Sequence, residues 1–389
     1  MIKLHEPFIQ GNEWKYVKNC LDTGWVSSAG KYVDLFERKI AKYTGSKYAI
    51  ACINCTVALQ ISLKLAGVGM DEEVIVPSMT FIAPVNAISY NNAKPIFMDN
   101  NEHYTIDVNK TLEFINKETR TIHKNKSLIT VNKKTGKRIA AIIVVHLFGN
   151  AARLDELIDL CKKKNIPLIE DSAGSIGTFY GSGKFKNKHT GTVGHIGCLS
   201  FNGNKIITSG GGGMILTNDI KIANRAKYLT TQAKDDPIKY IHKDIGYNFR
   251  LSNIQAALGL AQLENLPKRI RKKKIIHSIY RSKINKNKGL KISDVSNPNK
   301  SNYWLNILEI NKEITKKKLL KIIHRFNKYG IEIRPLWYPN HLQEKYKKCQ
   351  NYKLSYVKKI YQKRLCLPSS TQLTEKQQNF ICKKLNSIF

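Results

Sequence analysis

Acidic residues are scarce: 29 Asp and Glu stand against 65 Lys and Arg, a formal net charge of +36 over 389 residues. Such an imbalance draws phosphates, nucleotides, nucleic acid or an anionic membrane surface, and charge alone does not choose among them. Long apolar runs are missing. The longest, Ile139-Ala140-Ala141-Ile142-Ile143-Val144-Val145, falls far below the ~18 residues of a membrane span and reads as a buried strand. The opening Met1-Ile2-Lys3-Leu4-His5-Glu6-Pro7 has no apolar signal core, so a cytoplasmic protein without a membrane partner is expected. No second cysteine pair and no His-x-x-x-His accompanies Cys52-Ile53-Asn54-Cys55, so no metal site is expected. The eight cysteines lie mostly in apolar stretches, which suits reduced thiols rather than disulfides. Internal repeats and low-complexity linkers are absent.

The composition that remains, 42% hydrophobic and 24% charged, is enough for two packed domains. Lysines crowd nearly every polar face, as in Lys162-Lys163-Lys164, Arg271-Lys272-Lys273-Lys274 and Lys316-Lys317-Lys318. With no nucleic-acid motif beside them, they read as a solvated surface rather than a groove for nucleic acid.

Seven short apolar segments bounded by turns read as strands of one sheet: Tyr48 to Ile53, Glu73 to Val76, Pro95 to Met98, Ile139 to His146, Pro167 to Ile169, Gly197 to Phe201 and Gly213 to Leu216. Helical patterns alternate with them, for example Leu154, Leu157, Ile158 and Cys161 on one face, which predicts an α/β protein with a largely parallel, helix-covered sheet. Only residues 202 to 212 separate the last two strands, too few for a helical crossover, so the final strand is expected to run antiparallel. Residues 1–266 form the expected large domain and 267–389 a smaller C-terminal α/β domain. The latter has a basic helix, strands at Tyr303 to Ile310 and Ile331 to Pro335, and a closing helix from Thr374 to Ile388. A basic insertion at 117–138, with Gly136 in an expected hairpin turn, reads either as a flap over the site or as a decorated loop.

Ligands in open parallel sheets bind at the carboxyl ends of the strands. Thr56 follows the first strand at a helix start, where free N–H groups favour a phosphate. Asp171 follows the fifth, a carboxylate at the end of a buried run that calls for a cationic partner such as a protonated pyridine nitrogen. Ser200 and then Lys205 follow the sixth. Lys205, within Ser200-Phe201-Asn202-Gly203-Asn204-Lys205-Ile206-Ile207-Thr208-Ser209 and ahead of four glycines, is a lysine out of lysine-rich company, suited to a lowered pKa and Schiff-base chemistry. A phosphate anchor, a buried carboxylate and an amine are what pyridoxal 5'-phosphate asks of a protein.

With these residues in place, the chain resembles the DegT/DnrJ/StrS-type sugar-nucleotide aminotransferases, a fold-type-I pyridoxal-phosphate family, over nearly its full length. The matching stretches are Gly24-Trp25-Val26-Ser27, Thr56-Val57-Ala58-Leu59, Glu73 to Phe81, Glu170-Asp171, His189-Thr190-Gly191-Thr192, Ser200 to Lys205, Gly246 to Asn253 and Arg334-Pro335. The resemblance implies that Lys205 is the catalytic lysine, carrying the cofactor and moving the proton. Asp171 would pair with the pyridine nitrogen and Phe81 stack on the ring. Thr56 and Ser200 would hold the phosphate, with Val57 and Ala173 beside the cofactor. Asn248 matches a phosphate ligand donated by the other subunit, which implies a homodimer. Trp25, Ser27, Arg334 and His341 are candidate substrate contacts, as are lysines of the 117–138 insertion.

Two positions depart from the family pattern. Cys55 replaces the usual glycine of the phosphate loop. Gly174 stands where a longer polar side chain reaches the cofactor's phenolic oxygen, leaving Ser175, water or nothing in that role. Retention of Lys205 favours amino transfer over dehydration, which the family performs with histidine at that position. The wording of Ser200 to Ile207, the insertion and Leu229 to Lys234 looks most like the branch that aminates C4 of UDP-linked 4-keto-6-deoxy-N-acetylhexosamines for surface glycans, with glutamate as donor. GDP-4-keto-6-deoxymannose, dTDP-keto sugars and an eight-carbon keto sugar acid are the alternatives. A basic, non-catalytic nucleic-acid-binding or regulatory protein is the alternative of a different class.

Overall fold

The computed structural model describes residues 1–124, 127–236, 238–297 and 300–388. The chain opens with α1 (Glu13–Asp22) and α2 (Lys31–Thr44), then alternates β1 (Tyr48–Cys52), α3 (Cys55–Leu65), β2 (Glu73–Pro77), α4 (Ile82–Tyr90), β3 (Lys94–Met98) and α5 (Val108–Lys117). A hairpin of β4 (Thr119–Lys124) and β5 (Ser127–Asn132) precedes β6 (Ile139–Val145), α6 (Asp155–Lys163), β7 (Leu168–Asp171), β8 (Ile196–Ser200), β9 (Gly213–Thr217) and α7 (Ile220–Thr230). A short exposed hairpin, β10 (Lys234–Asp236) and β11 (Ile241–His242), leads into α8 (Asn253–Glu264) and α9 (Leu266–Lys283). The remainder holds β12 (Leu290–Ile292), β13 (Asn306–Ile310), α10 (Lys316–Lys328), β14 (Arg334–Pro335), β15 (Asn351–Tyr352), α11 (Ser355–Ile360), β16 (Arg364–Leu367) and α12 (Glu375–Ile388).

The main sheet runs β1-β9-β8-β7-β6-β2-β3-β15, and β9 is antiparallel to both β1 and β8 while the others pair in parallel. All seven expected strands are in it. The eighth, two-residue β15 comes from the C-terminal region and pairs with β3, an edge too short to show in the apolar pattern. Burial on both faces explains the continuous apolar runs. Along β6, Ala141, Ile143 and Val145 pack on the side of α3 and α4, whereas Ile142 and Val144 face Phe114 and Leu157 of α5 and α6. Burying one such isoleucine contributes roughly 1.5–3 kcal/mol, so the strand's position is heavily determined.

A second sheet, β12-β13-β16-β14, carries α10 and α12 around its own core of Leu308, Phe326, Leu365 and Ile381. Two segments cross the expected division at 266/267. Ile2 bridges Ile331 and Leu4 O accepts from Ser369 N–H, so the N-terminal arm lies on the small sheet. Residues such as Tyr346 and Val357 pack instead into the core of the large one. Within the expected strand from Ile331 to Pro335, only Arg334–Pro335 pairs with β16.

The 117–138 insertion is not a flap over this chain's site. Asn132 Nδ2 and Thr135 Oγ1 donate to Glu73 at the start of β2, and Thr130 Oγ1 donates to Lys164 O ahead of β7. The insertion therefore lies at the amino ends of the strands, opposite the carboxyl ends, and no lysine of it among the described residues lines the cavity described below. The β4–β5 turn falls at residues 125 and 126, outside the described residues, while Gly136, at φ 71°, sits in the turn after β5. No described helix is long and apolar enough to cross a membrane.

Candidate active site

Five strand ends and two tryptophans from segments flanking the small sheet's strands enclose a cavity of about 250 Å³. It is lined by Asn54, Cys55 and Thr56 after β1, Thr80 and Phe81 after β2, and His146 after β6. Asp171 ends β7, with Ala173 and Gly174 after it, Ser200 ends β8, with Asn204 and Lys205 in the turn that follows, and Trp304 and Trp337 complete the wall. Lys205, Asp171, Thr56, Ser200, Phe81 and Ala173, all named from sequence, thus meet in one place.

The anchor end is built by the start of α3. Asn54 caps the helix, its Oδ1 accepting from Val57 N–H at 3.0 Å. That bond commits the Val57 N–H, and Val57 does not line the cavity. The first-turn N–H groups of Cys55 and Thr56 precede any intrahelical bond and, with the positive end of the helix dipole, suit a phosphate. Gly213 permits this turn to sit against β9, because a Cβ there would lie 2.5 Å from Asn54 C and O. Cys55 is buried, and burial raises its thiol pKa well above the ordinary value. It behaves as a small neutral filler.

Two neighbouring carboxylates have different duties: Asp171 lines the cavity as its floor, whereas Glu170 lies outside the lining. Glu170 accepts from Gly191 N–H (2.8 Å), Val193 N–H (2.7 Å), Gly194 N–H (2.5 Å) and His146 Nε2–H (2.8 Å). His146 Nδ1 accepts from Ala152 N–H at 3.0 Å, which fixes the proton on Nε2. Burial alone would raise the Glu170 pKa, but the His146 bond and these amides hold it below the ordinary value. Among the described residues the Asp171 carboxylate receives only Ala173 N–H, at 2.9 Å. Burial raises its pKa, against the pull of that amide and of Lys205. A buried carboxylate so thinly supported suits a cationic partner, as a protonated pyridine nitrogen would be.

Lys205 reaches the cavity from the turn after β8, its amine crowded by protein. Burial lowers its pKa to about 8, with Asp171 and then Cys55 opposing the shift. Phe81 is 55% exposed and meets Trp337 edge-on, with ring centres 5.6 Å apart, so one face remains open to a planar ring. Anchor, floor, amine and open aromatic face fit pyridoxal phosphate.

Other sequence candidates do not line the cavity. Trp25 and Ser27 are exposed and give their carbonyls to Asn253. Arg334 is exposed and paired with Glu332 at 2.8 Å. His341 lies behind the β2 end, its Nδ1 2.6 Å from Ser78 Oγ and its pKa lowered by burial to about 4. Asn248 is exposed, on a segment whose Phe249 O accepts from Ile53 N–H beside the anchor. Ile238 (86%) and Tyr240 (71%), between β10 and β11, are likewise exposed in the single chain.

Sequence reasoning misses His146, Trp304 and Trp337. The positional rule that picks out Asp171 also picks His146, since both end buried strands. Trp304 has no local signal and comes into place only when the small sheet folds back. It also resolves the Gly174 departure: Ser175 Oγ is turned to Thr190 Oγ1 (2.8 Å), and the indole of Trp304 fills the room above residue 174.

Residues 7–386 match the DegT/DnrJ/EryC1/StrS aminotransferase family. The chain is 34% identical over 390 residues to the GDP-perosamine synthase of Escherichia coli O157:H7, covering all of this chain and 98% of that protein. It is 28% identical over 374 residues to the UDP-4-amino-4,6-dideoxy-N-acetyl-beta-L-altrosamine transaminase of Campylobacter jejuni, covering 93% and 91%. The crystal structure of a DegT DnrJ EryC1 StrS aminotransferase from Brucella abortus superposes with a TM-score of 0.84 at 26% identity, covering 97% and 95%. With a full-length family match, these relatives and a cavity suited to the cofactor, the chain belongs to the DegT/DnrJ/EryC1/StrS aminotransferase family, whose members are pyridoxal-phosphate-dependent sugar aminotransferases.

Proposed function

We propose that the chain transfers an amino group from glutamate to the C4 keto carbon of a 4-keto-6-deoxy sugar linked to a nucleoside diphosphate. The observation that carries this reading is the convergence of Lys205, Asp171 and the start of α3 on one cavity. Pyridoxal phosphate supplies the electron sink when bound. The protein's share is orientation and proton handling. The N–H groups of α3, with Thr56 and Ser200, hold the phosphate, and Phe81 offers its face to the ring. Asp171 keeps a proton on the pyridine nitrogen. Lys205, with a pKa near 8, is poised to give up and take back a proton near neutral pH. Asn248, on its exposed segment beside the anchor, would complete the phosphate site of a partner copy in a homodimer.

The sequence wording supports a UDP-linked N-acetylhexosamine as the sugar. A second reading, GDP-4-keto-6-deoxymannose, is favoured by the 34% identity with GDP-perosamine synthase against 28% for the UDP-sugar relative. The test is amino transfer by cofactor-loaded protein from glutamate to a panel of UDP-, GDP- and dTDP-linked 4-keto-6-deoxy sugars, with product mass measured. Preference for one nucleotide chooses between the readings. Amination of none of them, by a protein that does deaminate glutamate, overturns the substrate class.

A further inference from the structure

Lys205 Nζ lies 3.8 Å from the centre of the Trp304 ring, and among the described residues it makes no hydrogen bond to an oxygen. The ring is held firmly. Trp304 N–H donates to Asn302 Oδ1 (2.9 Å), Trp304 O accepts from Lys273 Nζ (2.9 Å), and the indole Nε1–H donates to Asn204 O (2.9 Å), one residue before Lys205. Asn302 Nδ2 in turn donates to Gly174 O (3.1 Å) and Ile176 O (2.9 Å), so the same residue that fixes Trp304 ties it to the loop after Asp171. A Cβ on residue 174 would stand 2.6 Å from Trp304 Cε3 and 2.8 Å from Cζ3. The indole can keep its place only over a glycine.

We infer that the face of Trp304 is the resting seat of the free Lys205 ammonium, with residue 174 kept free of a side chain so that the ring can lie there. The inference rests on the reading of Lys205 as the cofactor lysine, which must be free for part of each turnover. An unseated amine would be drawn toward the Asp171 carboxylate, the strongest opposing influence on its pKa, and would then compete with the pyridine nitrogen for it. An aromatic face attracts the ammonium without accepting its proton and without a directional bond to break on leaving. Trp304 is in this sense a positioning residue. The pair also accounts for the glycine at 174: the space that a polar side chain fills in the family pattern is occupied in this chain by the ring that seats the lysine.

The test is the apparent pKa of Lys205 in full-length protein stripped of cofactor, from the pH dependence of its acylation, followed on the Lys205 peptide by mass spectrometry. The variants are Trp304→Phe, Trp304→Leu, Gly174→Ala and the Gly174→Ala/Trp304→Leu double. A seat that favours the charged form predicts a pKa falling in the order Trp, Phe, Leu, with the full drop about half to one unit. Gly174→Ala, by pushing the ring aside, lowers the pKa toward the Leu value and adds little in the double variant. A ring that is only filler predicts the opposite sign, because its loss admits water and lets the pKa rise toward that of an exposed lysine. A rise or no change in Trp304→Leu and Trp304→Phe overturns the proposal. If Trp304→Leu does not fold, the Phe and Gly174→Ala variants decide by the same sign. Failure of the parent reading shows separately, as wild-type protein that takes up no pyridoxal phosphate on Lys205 after borohydride reduction.

Discussion

Lys205 and Lys273 both leave the lysine-rich surface and both touch Trp304, yet their surroundings are opposite. Lys273 is 0% exposed and its Nζ donates to Trp304 O at 2.9 Å and to Ser369 O at 2.5 Å. Lys205 opens on a cavity and rests on an aromatic face. Burial lowers both pKa values, that of Lys273 well below the ordinary range and that of Lys205 to about 8. Burial therefore does not by itself mark the working lysine. The distinguishing feature is what the amine is committed to: Lys273 is used up in tying α9 to the small sheet, whereas Lys205 holds no oxygen partner among the described residues and is free to react. The carboxylates of Glu170 and Asp171 divide in the same way, four hydrogen bonds against one among the described residues.

The largest effect should come from separating the two lysines. Lys205→Ala is expected to lower kcat by about 10³-fold or more, the scale of losing a nucleophile that also moves the proton, with no loss of melting temperature. Lys273→Met should do the reverse. It leaves two buried carbonyls without a donor, at roughly 1–3 kcal/mol each, and lowers the melting temperature while kcat stays within about tenfold. The comparison breaks if Lys205→Ala melts early, or if Lys273→Met is as inactive as Lys205→Ala at unchanged stability.

A somewhat smaller contrast is expected between the carboxylates. Asp171→Asn keeps the shape but removes the charge, and kcat should drop about 10²-fold or more, the scale of losing one preorganised electrostatic partner. Glu170→Gln turns an NH₂ group toward backbone N–H donors or toward His146, so the cost, about 1–3 kcal/mol, should appear in urea denaturation. Steady-state kinetics and unfolding curves on the two variants check both. Equal stability losses would mean that Asp171 is as structural as its neighbour.

The same distinction governs what is legible in the sequence. Lys205, Asp171, Thr56 and Ser200 stand at or just past the ends of buried strands, a position set by the local apolar pattern, and the antiparallel β9 follows from a connection too short for a helix. Contacts made across long sequence distances have no such signal. Trp304 in the site, β15 on the edge of the large sheet and Ile2 beside Ile331 all depend on the C-terminal region folding back, which neither period nor turn chemistry encodes. The insertion at 117–138 misleads for a related reason. Its charge suggests a ligand, but Asn132 and Thr135 bind Glu73, at the start of β2, and which end of the sheet a hairpin covers is a tertiary matter.

A buried group whose hydrogen bonds are all made should show itself in stability rather than in catalysis, and His189 is the gentlest test. Gly177 N–H donates to its Nε2 at 2.8 Å, and its Nδ1–H donates to Thr190 O. Both nitrogens are committed and the ring is held neutral. Burial lowers its pKa from 6.5 to about 4. The unfolded chain, where the imidazole is free, binds a proton near pH 6.5, whereas the folded chain waits until about pH 4. Between those values the unfolded state carries the extra proton, so stability falls with falling pH by up to about 1.4 kcal/mol per unit, and below the folded pKa the effect stops growing. His189→Gln cannot titrate. From pH 7 to pH 5 the wild type should therefore lose about 2 kcal/mol more in urea denaturation than the variant. Other buried histidines titrate in both proteins and cancel in the difference. Equal losses would show that His189 does not enter the folded state neutral, and with it would go the rule that a fully bonded buried group acts on stability alone.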